Sequence, residues 1–194
     1  MEVTDTMSRL AILDDYQDVF RTLKCYPKLK MADWESLRPA VEIHTFHATT
    51  ATEDAAAEQL RDFEIIVAMR ERTAFRRSLL ERLPNLKLLV TTGMVNASID
   101  LKAAAELGIV VCGTRSLPYP TVELTWALIL ALARNIPRED AGMHKGSWQT
   151  TVGTGLNGKV LGILALGRLG SEVAIIGKAF KMEVIAWSEN LTEE

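Results

Sequence analysis

A cluster of small residues near the end of the sequence has the spacing of a phosphate-binding turn. Ala165, Gly167 and Gly170 follow the apolar run Val160–Leu164 and precede a helical pattern over residues 168–180. A tight turn between a strand and a helix points backbone N–H groups, with the positive helix end behind them, at a phosphate. Glycine spacing alone is a weak signal, but the flanking strand and helix favour a dinucleotide pyrophosphate over a purely structural turn. The predicted binding residues are Gly167, Arg168, Leu169 and Gly170.

Ala165 occupies the position where this kind of turn normally begins with glycine. Its methyl group stands where the chain turns most tightly, and alanine tolerates a positive φ poorly. We therefore expect a strained turn if the backbone of Ala165 adopts a positive φ.

The end of the following strand should meet the cofactor ribose. That strand is predicted over Val184–Trp187, and Ser188 stands at its tip with Glu189 beside it. An acidic residue here usually holds the 2′-hydroxyl of NAD. Ser188 can bond to that hydroxyl without repelling a 2′-phosphate, and Glu189 could take the acidic role. No Lys or Arg follows to signal NADP. The pattern leaves both cofactors open and slightly favours NAD.

Only two strands of this second domain precede the end of the sequence, at Glu194. A complete dinucleotide-binding domain has about six parallel strands. We therefore expect a truncated, incomplete Rossmann-type domain with an unpaired sheet edge and weak cofactor binding.

Short apolar runs alternate with helical patterns through the first ~112 residues. This alternation predicts a parallel sheet covered on both faces, in a flavodoxin-like, doubly wound α/β domain. Thr52 should open one helix, and Gly108 should close another. The predicted strands are Leu10–Leu13, Val41–Phe46, Ile65–Met69, Leu86–Val90 and Ile109–Val111.

A long helix is predicted over Val122–Asn135, after Pro118 and Pro120. Because it is apolar on nearly every side, we expect it to be buried between layers and to join the two domains. A second, amphipathic helix is predicted over Arg138–Lys145. The four tryptophans are expected to be packing residues.

Composition excludes several functional classes. A net charge of −3 gives no electrostatic footprint for nucleic acid. The acidic N-terminus lacks the apolar core of a signal peptide, and the most apolar stretch, Leu124–Ala133, is too short to span a membrane. Cys25 and Cys112 are expected to be reduced thiols in a cytoplasmic protein. His44 and His47 should face opposite sides of a strand, so no metal site is expected.

Several stretches in a fixed order resemble the N-terminal part of the D-isomer-specific 2-hydroxyacid dehydrogenases. The resemblance covers essentially the whole chain, and the order of the matches is more specific than any one of them. The matching stretches are Leu86–Leu89 with Thr92–Met94, Ser98–Asp100, Leu107–Val111, Thr121–Asn135 and Gly158–Trp187.

The resemblance implies three parts. These are a substrate (catalytic) domain over residues 1–117, an interdomain helix and crossing segment over 118–157, and the start of an NAD(P)-binding domain over 158–194. The family moves a hydride between the cofactor and C2 of a 2-hydroxy or 2-oxo acid. Its substrate-binding Arg and its His–Glu pair correspond to positions beyond Glu194, so the chain alone is expected to be inactive.

The resemblance also implies individual roles. Backbone N–H groups of Met94 and Val95 match the loop that meets the substrate carboxylate, although Val95 replaces the small or basic residue typical there. Thr121 matches a position against the nicotinamide. Arg70 follows the third strand and either contacts substrate or belongs to a solvated loop. Two hypotheses remain open: a homo-oligomeric enzyme of which this chain is a part, and a non-catalytic paralogue that pairs with a full-length relative.

Overall fold

The computed structural model describes residues 8–30 and 41–189. The chain divides into two compact units, Met1–Ser116 and Leu117–Glu194. In the described part of the chain, no helix combines the length and apolar character needed to cross a bilayer.

The first unit is built on a parallel sheet of five strands in the order β2-β1-β3-β4-β5. This strand order is that of flavodoxin-like, doubly wound domains, so the predicted fold class is confirmed. The strands are β1 Ser8–Ile12, β2 Val41–Thr45, β3 Ile65–Ala68, β4 Leu88–Thr91 and β5 Val110–Gly113. The helices are α1 Tyr26–Lys30, α2 Glu53–Leu60, α3 Arg77–Leu80 and α4 Leu101–Glu106, with a 3₁₀ turn at Phe20–Thr22.

The core of this unit lies on the central strands. Ile66 and Ala68 of β3 and Leu89 of β4 are fully buried, as is Phe75 in the segment that follows β3. Strands buried on both faces read as continuous apolar runs, which is why the sequence located the strand ends within two residues.

Capping residues stand at the ends of α2 and α4, and the sequence predicted two of them, Thr52 and Gly108. The Thr52 hydroxyl accepts a hydrogen bond from the Ala55 N–H at 3.2 Å and opens α2. The Asp100 carboxylate does the same for the Ala103 N–H at 2.9 Å at the start of α4. Gly108 follows that helix at a φ of +73°, a conformation that favours glycine.

In its described residues, the second unit contains two long helices, one shorter helix and a small parallel sheet. Its elements are α5 Tyr119–Ala133, α6 Ile136–Met143, β6 Val160–Leu164, α7 Arg168–Ala179 and β7 Glu183–Trp187. β6 and β7 pair in parallel, with Val160 opposite Glu183. Helix α7 packs on β6 and on α5, where Trp126 lies 5.0 Å from the Phe180 ring.

The predicted bounds of two helices were wrong. Helix α5 begins at Tyr119 rather than Val122, because Pro120 lies in its first turn, where the missing N–H costs no hydrogen bond. It ends at Ala133, and Asn135 then turns the chain at a φ of +54°. The amphipathic helix therefore starts at Ile136 and not at Arg138.

The prediction that α5 is buried on all sides was also wrong. Val122 and Trp126 are buried, but Leu128 is 62% exposed and Leu132 is 81% exposed. Within the described residues of this unit, α7 covers one face of α5 and leaves the other in contact with solvent. Trp148 and Trp187 are likewise exposed instead of packed, and Trp34 lies outside the described residues.

Candidate functional site

The carboxyl ends of the five parallel strands bring several polar segments to one edge of the first sheet. Asp14 follows β1, Arg70 follows β3, and the Gly93–Asn96 loop follows β4. Ligands of open α/β sheets bind at this edge, outside the carboxyl ends of the strands. The first unit therefore presents a candidate ligand site here.

Hydrogen bonds from the backbone and the side chain of Arg70 hold this residue against the loop that follows β4. Its φ of +54° is unusual for a residue with a side chain. Its N–H donates to the Thr92 hydroxyl at 3.1 Å, and its Nη1 donates to the Thr92 carbonyl oxygen at 3.3 Å. Observed backbone strain of this kind often accompanies a functional position. The prediction that Arg70 follows the third strand is confirmed, whereas its contact with substrate stays a prediction.

The Gly93–Asn96 loop offers unused backbone donors. Among the described residues, the N–H groups of Met94 and Val95 donate to no protein acceptor. The two residues are 65% and 81% exposed, so this part of the loop stands at the surface and not in the core. Adjacent free N–H groups can bind a carboxylate.

Asn96 fixes this loop, and the sequence did not identify it. Its buried amide donates to the Arg70 carbonyl oxygen at 2.6 Å and to the Thr91 hydroxyl at 2.9 Å. Its side-chain oxygen accepts from the Ser98 N–H at 2.9 Å. An asparagine shortly after a strand and a glycine was the available signal, since such side chains commonly bond to nearby backbone.

A second group of contacts that sequence reasoning missed is centred on Asp14, which is 1% exposed at a φ of +59°. Its carboxylate accepts from the Thr49 hydroxyl and, at 3.3 Å, from the Thr73 hydroxyl. Its carbonyl oxygen accepts from Arg72 at 3.0 Å. The guanidinium of Arg72 stacks 4.4 Å from the Tyr16 ring centroid. These contacts join the loops after β1, β2 and β3, and so hold the segment that carries Arg70.

The glycine turn of the second unit forms at the carboxyl edge of its two-stranded sheet. Ala165 has a φ of +70°, so the condition for the predicted strain, a positive φ at this position, is confirmed. The Ala165 N–H donates to the Trp187 carbonyl oxygen at 2.7 Å, which places Ser188 beside the turn. Glu189 follows Ser188 and is exposed.

Helix α7 begins directly after Gly167, which is its N-terminal cap. The N–H groups of its first turn, Arg168, Leu169 and Gly170, have no intrahelical acceptor. A Cβ placed on Gly167 would meet no described atom within 4 Å, so the space in front of these donors is open. Exposed N–H groups at a helix start are suited to bind a phosphate.

The remaining predicted cofactor residue, Thr121, lies exposed in the first turn of α5. Its carbonyl oxygen accepts from the Thr125 hydroxyl at 2.8 Å. No hydrogen bond between described residues joins Thr121 to the glycine turn.

The prediction that His44 and His47 lie on the same strand was wrong. His44 lies in β2, whereas His47 lies beyond that strand and bonds through Nδ1 to the Asp15 carbonyl oxygen at 2.9 Å. The possible ligand atoms of Asp15, Asp18 and His47 lie within 4.8 Å of one another. Both Asp15 carboxylate oxygens already accept hydrogen bonds from the backbone N–H groups of Val19 and Phe20. The position of Asp15 in this cluster is therefore explained by its role in ordering the loop after β1.

Substitution of Ala165 by glycine is expected to stabilise the second unit. Glycine adopts a φ of +70° without the methyl clash, and the gain should be roughly 0.5–1 kcal/mol. Urea unfolding followed by tryptophan fluorescence would measure it, with Gly162→Ala on β6 as a control in open space. An unchanged or lower unfolding free energy for Ala165→Gly would contradict the assignment of strain.

Glu139 should make the segment after α6 sensitive to acid. The Thr151 hydroxyl, and then the Thr150 N–H, donate to its carboxylate and lower the pKa of Glu139. A lowered pKa means that this stabilisation is present above the ordinary value of about 4.3 and is lost as the pH falls through the folded-state pKa. Fluorescence of the neighbouring Trp148 should change over that acid range. Glu139→Gln should already show the changed signal at neutral pH, and a wild-type signal in that variant would contradict the assignment.

Comparison with known proteins agrees with both units. The family model for the D-isomer specific 2-hydroxyacid dehydrogenase, NAD binding domain, matches residues 126–194. D-3-phosphoglycerate dehydrogenase of Methanocaldococcus jannaschii is 35% identical over 150 residues, which are 76% of this chain and 28% of that protein. Glyoxylate reductase of Aeropyrum pernix is 40% identical over 126 residues, which are 60% of this chain and 38% of that protein.

A solved structure gives the same result for the fold. Phosphoglycerate oxidoreductase from Vibrio cholerae matches with a TM-score of 0.84 and 36% identity, over 94% of this chain and 57% of that one. The chain therefore spans about a quarter to a half of the length of these relatives. The ordered sequence motifs, the sheet order and these matches together assign the chain to the D-isomer-specific 2-hydroxyacid dehydrogenase family.

Proposed function

We propose that this chain is part of an NAD-dependent oxidoreductase that moves a hydride between the cofactor and a small 2-hydroxy or 2-oxo acid. The observation that carries this proposal is the glycine turn, with its open space and the free N–H groups at the start of α7. Family membership supports the reaction class. The first unit would be the substrate domain, and residues from 158 onward would begin the cofactor domain.

The cofactor contacts follow from the turn. The N–H groups of Arg168, Leu169 and Gly170 would bind the pyrophosphate, and Gly167 leaves room for it to approach. Ser188 would bond to the ribose, and Thr121 would lie against the nicotinamide. Bound NAD would supply the hydride chemistry. Ser188 carries no charge against a 2′-phosphate, so NAD is preferred to NADP only slightly, through the neighbouring Glu189.

The substrate contacts lie in the first unit. The N–H groups of Met94 and Val95 would hold the substrate carboxylate, with Arg70 beside them. The short bond from Asn96 to Arg70 supports a preformed arrangement, because it ties the two segments before any substrate arrives. A preformed site loses less entropy on binding.

We propose that the isolated chain binds these ligands weakly and does not turn them over. The reaction needs a general acid or base at the carbonyl. His47 follows β2, which lies three strand positions from β4, roughly 14 Å at the usual strand spacing. His44 lies within β2 itself. No imidazole described in the first unit therefore stands at the Met94–Val95 loop.

An amide NMR titration of the full chain tests the proposal. NAD⁺ should shift the amide signals of Gly167–Gly170, and pyruvate should shift those of Met94 and Val95. When the chain is mixed with NADH and pyruvate, it should not consume NADH. Failure of both ligands to shift these signals at millimolar concentration would overturn the proposal, and steady NADH consumption would overturn the inactivity of the isolated chain.

A second function is favoured by the exposed apolar surface of the second unit. Leu164 of β6 and Ile185 and Trp187 of β7 are exposed on the same sheet face, and Trp187 is 65% accessible. Exposed patches of this kind are typical of interfaces. The chain would then associate with a second copy or with a full-length relative. Size-exclusion chromatography after co-expression distinguishes these cases from a monomer, since separate elution of chain and relative would exclude the mixed pair.

A further inference from the structure

The ionisable side chain of Asp14 is buried at the carboxyl end of β1. It is 1% exposed, and the hydroxyl groups of Thr49 and Thr73 donate hydrogen bonds to its two carboxylate oxygens. Thr73 is itself buried, at 9% exposure. A carboxylate is stable inside a protein only when its oxygens are hydrogen-bonded. Asp14 therefore depends on the loop after β2 and on the segment after β3, and it holds both of them in place.

The segment after β3 is fixed at both of its ends by the loop that follows β4. At its start, the Arg70 carbonyl oxygen accepts a hydrogen bond from the Asn96 amide at 2.6 Å. At its end, the Phe75 N–H donates to the Ser98 carbonyl oxygen at 2.8 Å. Residues 71–74 therefore span two fixed points, and a change in the middle of this span should leave the fold intact.

The middle of the segment is held from the other side, by Asp14. The turn that follows β3 is closed by a long hydrogen bond, 3.4 Å from the Arg72 N–H to the Met69 carbonyl oxygen. A bond of that length is weak, yet Arg70 keeps a φ of +54° inside the turn. Such backbone strain persists only where surrounding contacts fix it. Arg72 donates to the Asp14 carbonyl oxygen at 3.0 Å, and Thr73 donates to the carboxylate at 3.3 Å. These two bonds supply support that the turn itself lacks.

We propose that Asp14 is a positioning residue for the substrate site: through Thr73 it keeps Arg70 beside the amides that hold the substrate carboxylate. This inference rests on the proposed function, which assigns those amides to Met94 and Val95. The Arg70 guanidinium is bonded at 3.3 Å to the backbone that leads into the same loop. If the turn relaxes, this cation moves away from the carboxylate, and the site is no longer preformed. The affinity for a 2-oxo acid then falls.

The competing explanation is that the bond between Thr73 and Asp14 only stabilises the fold. Two substitutions of Thr73 separate the two explanations. Thr73→Val keeps the branched shape and loses the hydroxyl group, whereas Thr73→Ser keeps the hydroxyl group and loses the methyl group. Both remove an interaction at a buried position, so both should lower the free energy of unfolding. Only Thr73→Val removes the bond to Asp14.

The test combines amide NMR titrations of the full chain with urea unfolding of the wild type and both variants. Before any ligand is added, Thr73→Val should displace the amide signals of Arg70, Met94 and Val95, and Thr73→Ser should not. We expect Thr73→Val to bind pyruvate about three- to ten-fold more weakly, and Thr73→Ser to bind it within about two-fold of the wild type. The NAD⁺ shifts at Gly167–Gly170 should be the same in all three proteins, because these residues belong to the second unit.

Each result decides between the two explanations. Unchanged pyruvate affinity in Thr73→Val would overturn the role of Asp14 and leave the proposed function intact. Equal weakening in Thr73→Val and Thr73→Ser would also overturn it, since lost packing would then be the cause. If pyruvate shifts no signal of Met94 or Val95 in the wild type, the proposed substrate site fails and this inference fails with it. If Thr73→Val does not fold, Thr73→Ala compared with Thr73→Ser gives the same test, because these two variants differ only in the hydroxyl group.

Discussion

Replacing Gly170 with alanine is expected to lower the free energy of unfolding of the second unit by roughly 1–2 kcal/mol. A Cβ at this position would lie 2.6 Å from the Ala165 carbonyl oxygen and 3.2 Å from Cγ2 of Ile163. Overpacking of this kind costs about 1–3 kcal/mol, and it exceeds the gain of about 1 kcal/mol from alanine in a helix. Because the oxygen belongs to the turn, the backbone itself has to move.

The matched control is Gly167→Ala, where the added methyl group meets no described atom within 4 Å. This variant should retain the stability of the wild type while its methyl group obstructs the approach of a phosphate. Urea unfolding and NAD⁺ titration of both variants would be compared. Gly170→Ala should lose stability, and Gly167→Ala should lose only NAD⁺ affinity. Equal stability of all three proteins would contradict the close approach of α7 to the turn.

The local features of this chain could be predicted because each depends on neighbouring residues. Thr52 and Gly108 act within one helical turn, and Ala165 takes its positive φ from the geometry of the turn that it begins. The parallel strands could also be located from the sequence, because burial on both faces produces continuous apolar runs. Their order then follows from short connections between a few strands.

The exposure of α5 could not be predicted. The helical pattern shows that most faces of the helix are apolar, but it does not show which other elements cover those faces. Leu124 and Leu132 are apolar in sequence and exposed in the structure. The same limit applies to the two groups of contacts at the edge of the first sheet. Thr49 and Thr73 reach Asp14 over 35 and 59 residues of sequence, and Asn96 reaches Arg70 over 26. Only the sheet order brings these positions together.

Gly113→Ala is expected to damage the first unit in stability and in binding together. Its Cβ would lie 2.7 Å from the Gly93 carbonyl oxygen, 2.9 Å from the Met94 carbonyl oxygen and 3.0 Å from the Met94 Cα. All three atoms are backbone, so no side chain can rotate away, and the loop after β4 has to shift. We expect a loss of roughly 1–3 kcal/mol in unfolding free energy and displaced amide signals for Met94 and Val95 before any ligand is added.

Gly93→Ala provides the contrast, because its methyl group would meet the far end of a flexible side chain, Arg70 Nη1 at 2.5 Å. Arg70 can move aside, so the stability change should stay near 0.5 kcal/mol. The affinity for a 2-oxo acid should nevertheless fall, since the guanidinium no longer lies against the loop. Chemical denaturation gives the unfolding free energy of each variant, and titration with a 2-oxo acid gives the affinity of each variant for that acid. A large stability loss in Gly93→Ala, or none in Gly113→Ala, would contradict the position of Gly93 between Arg70 and β5.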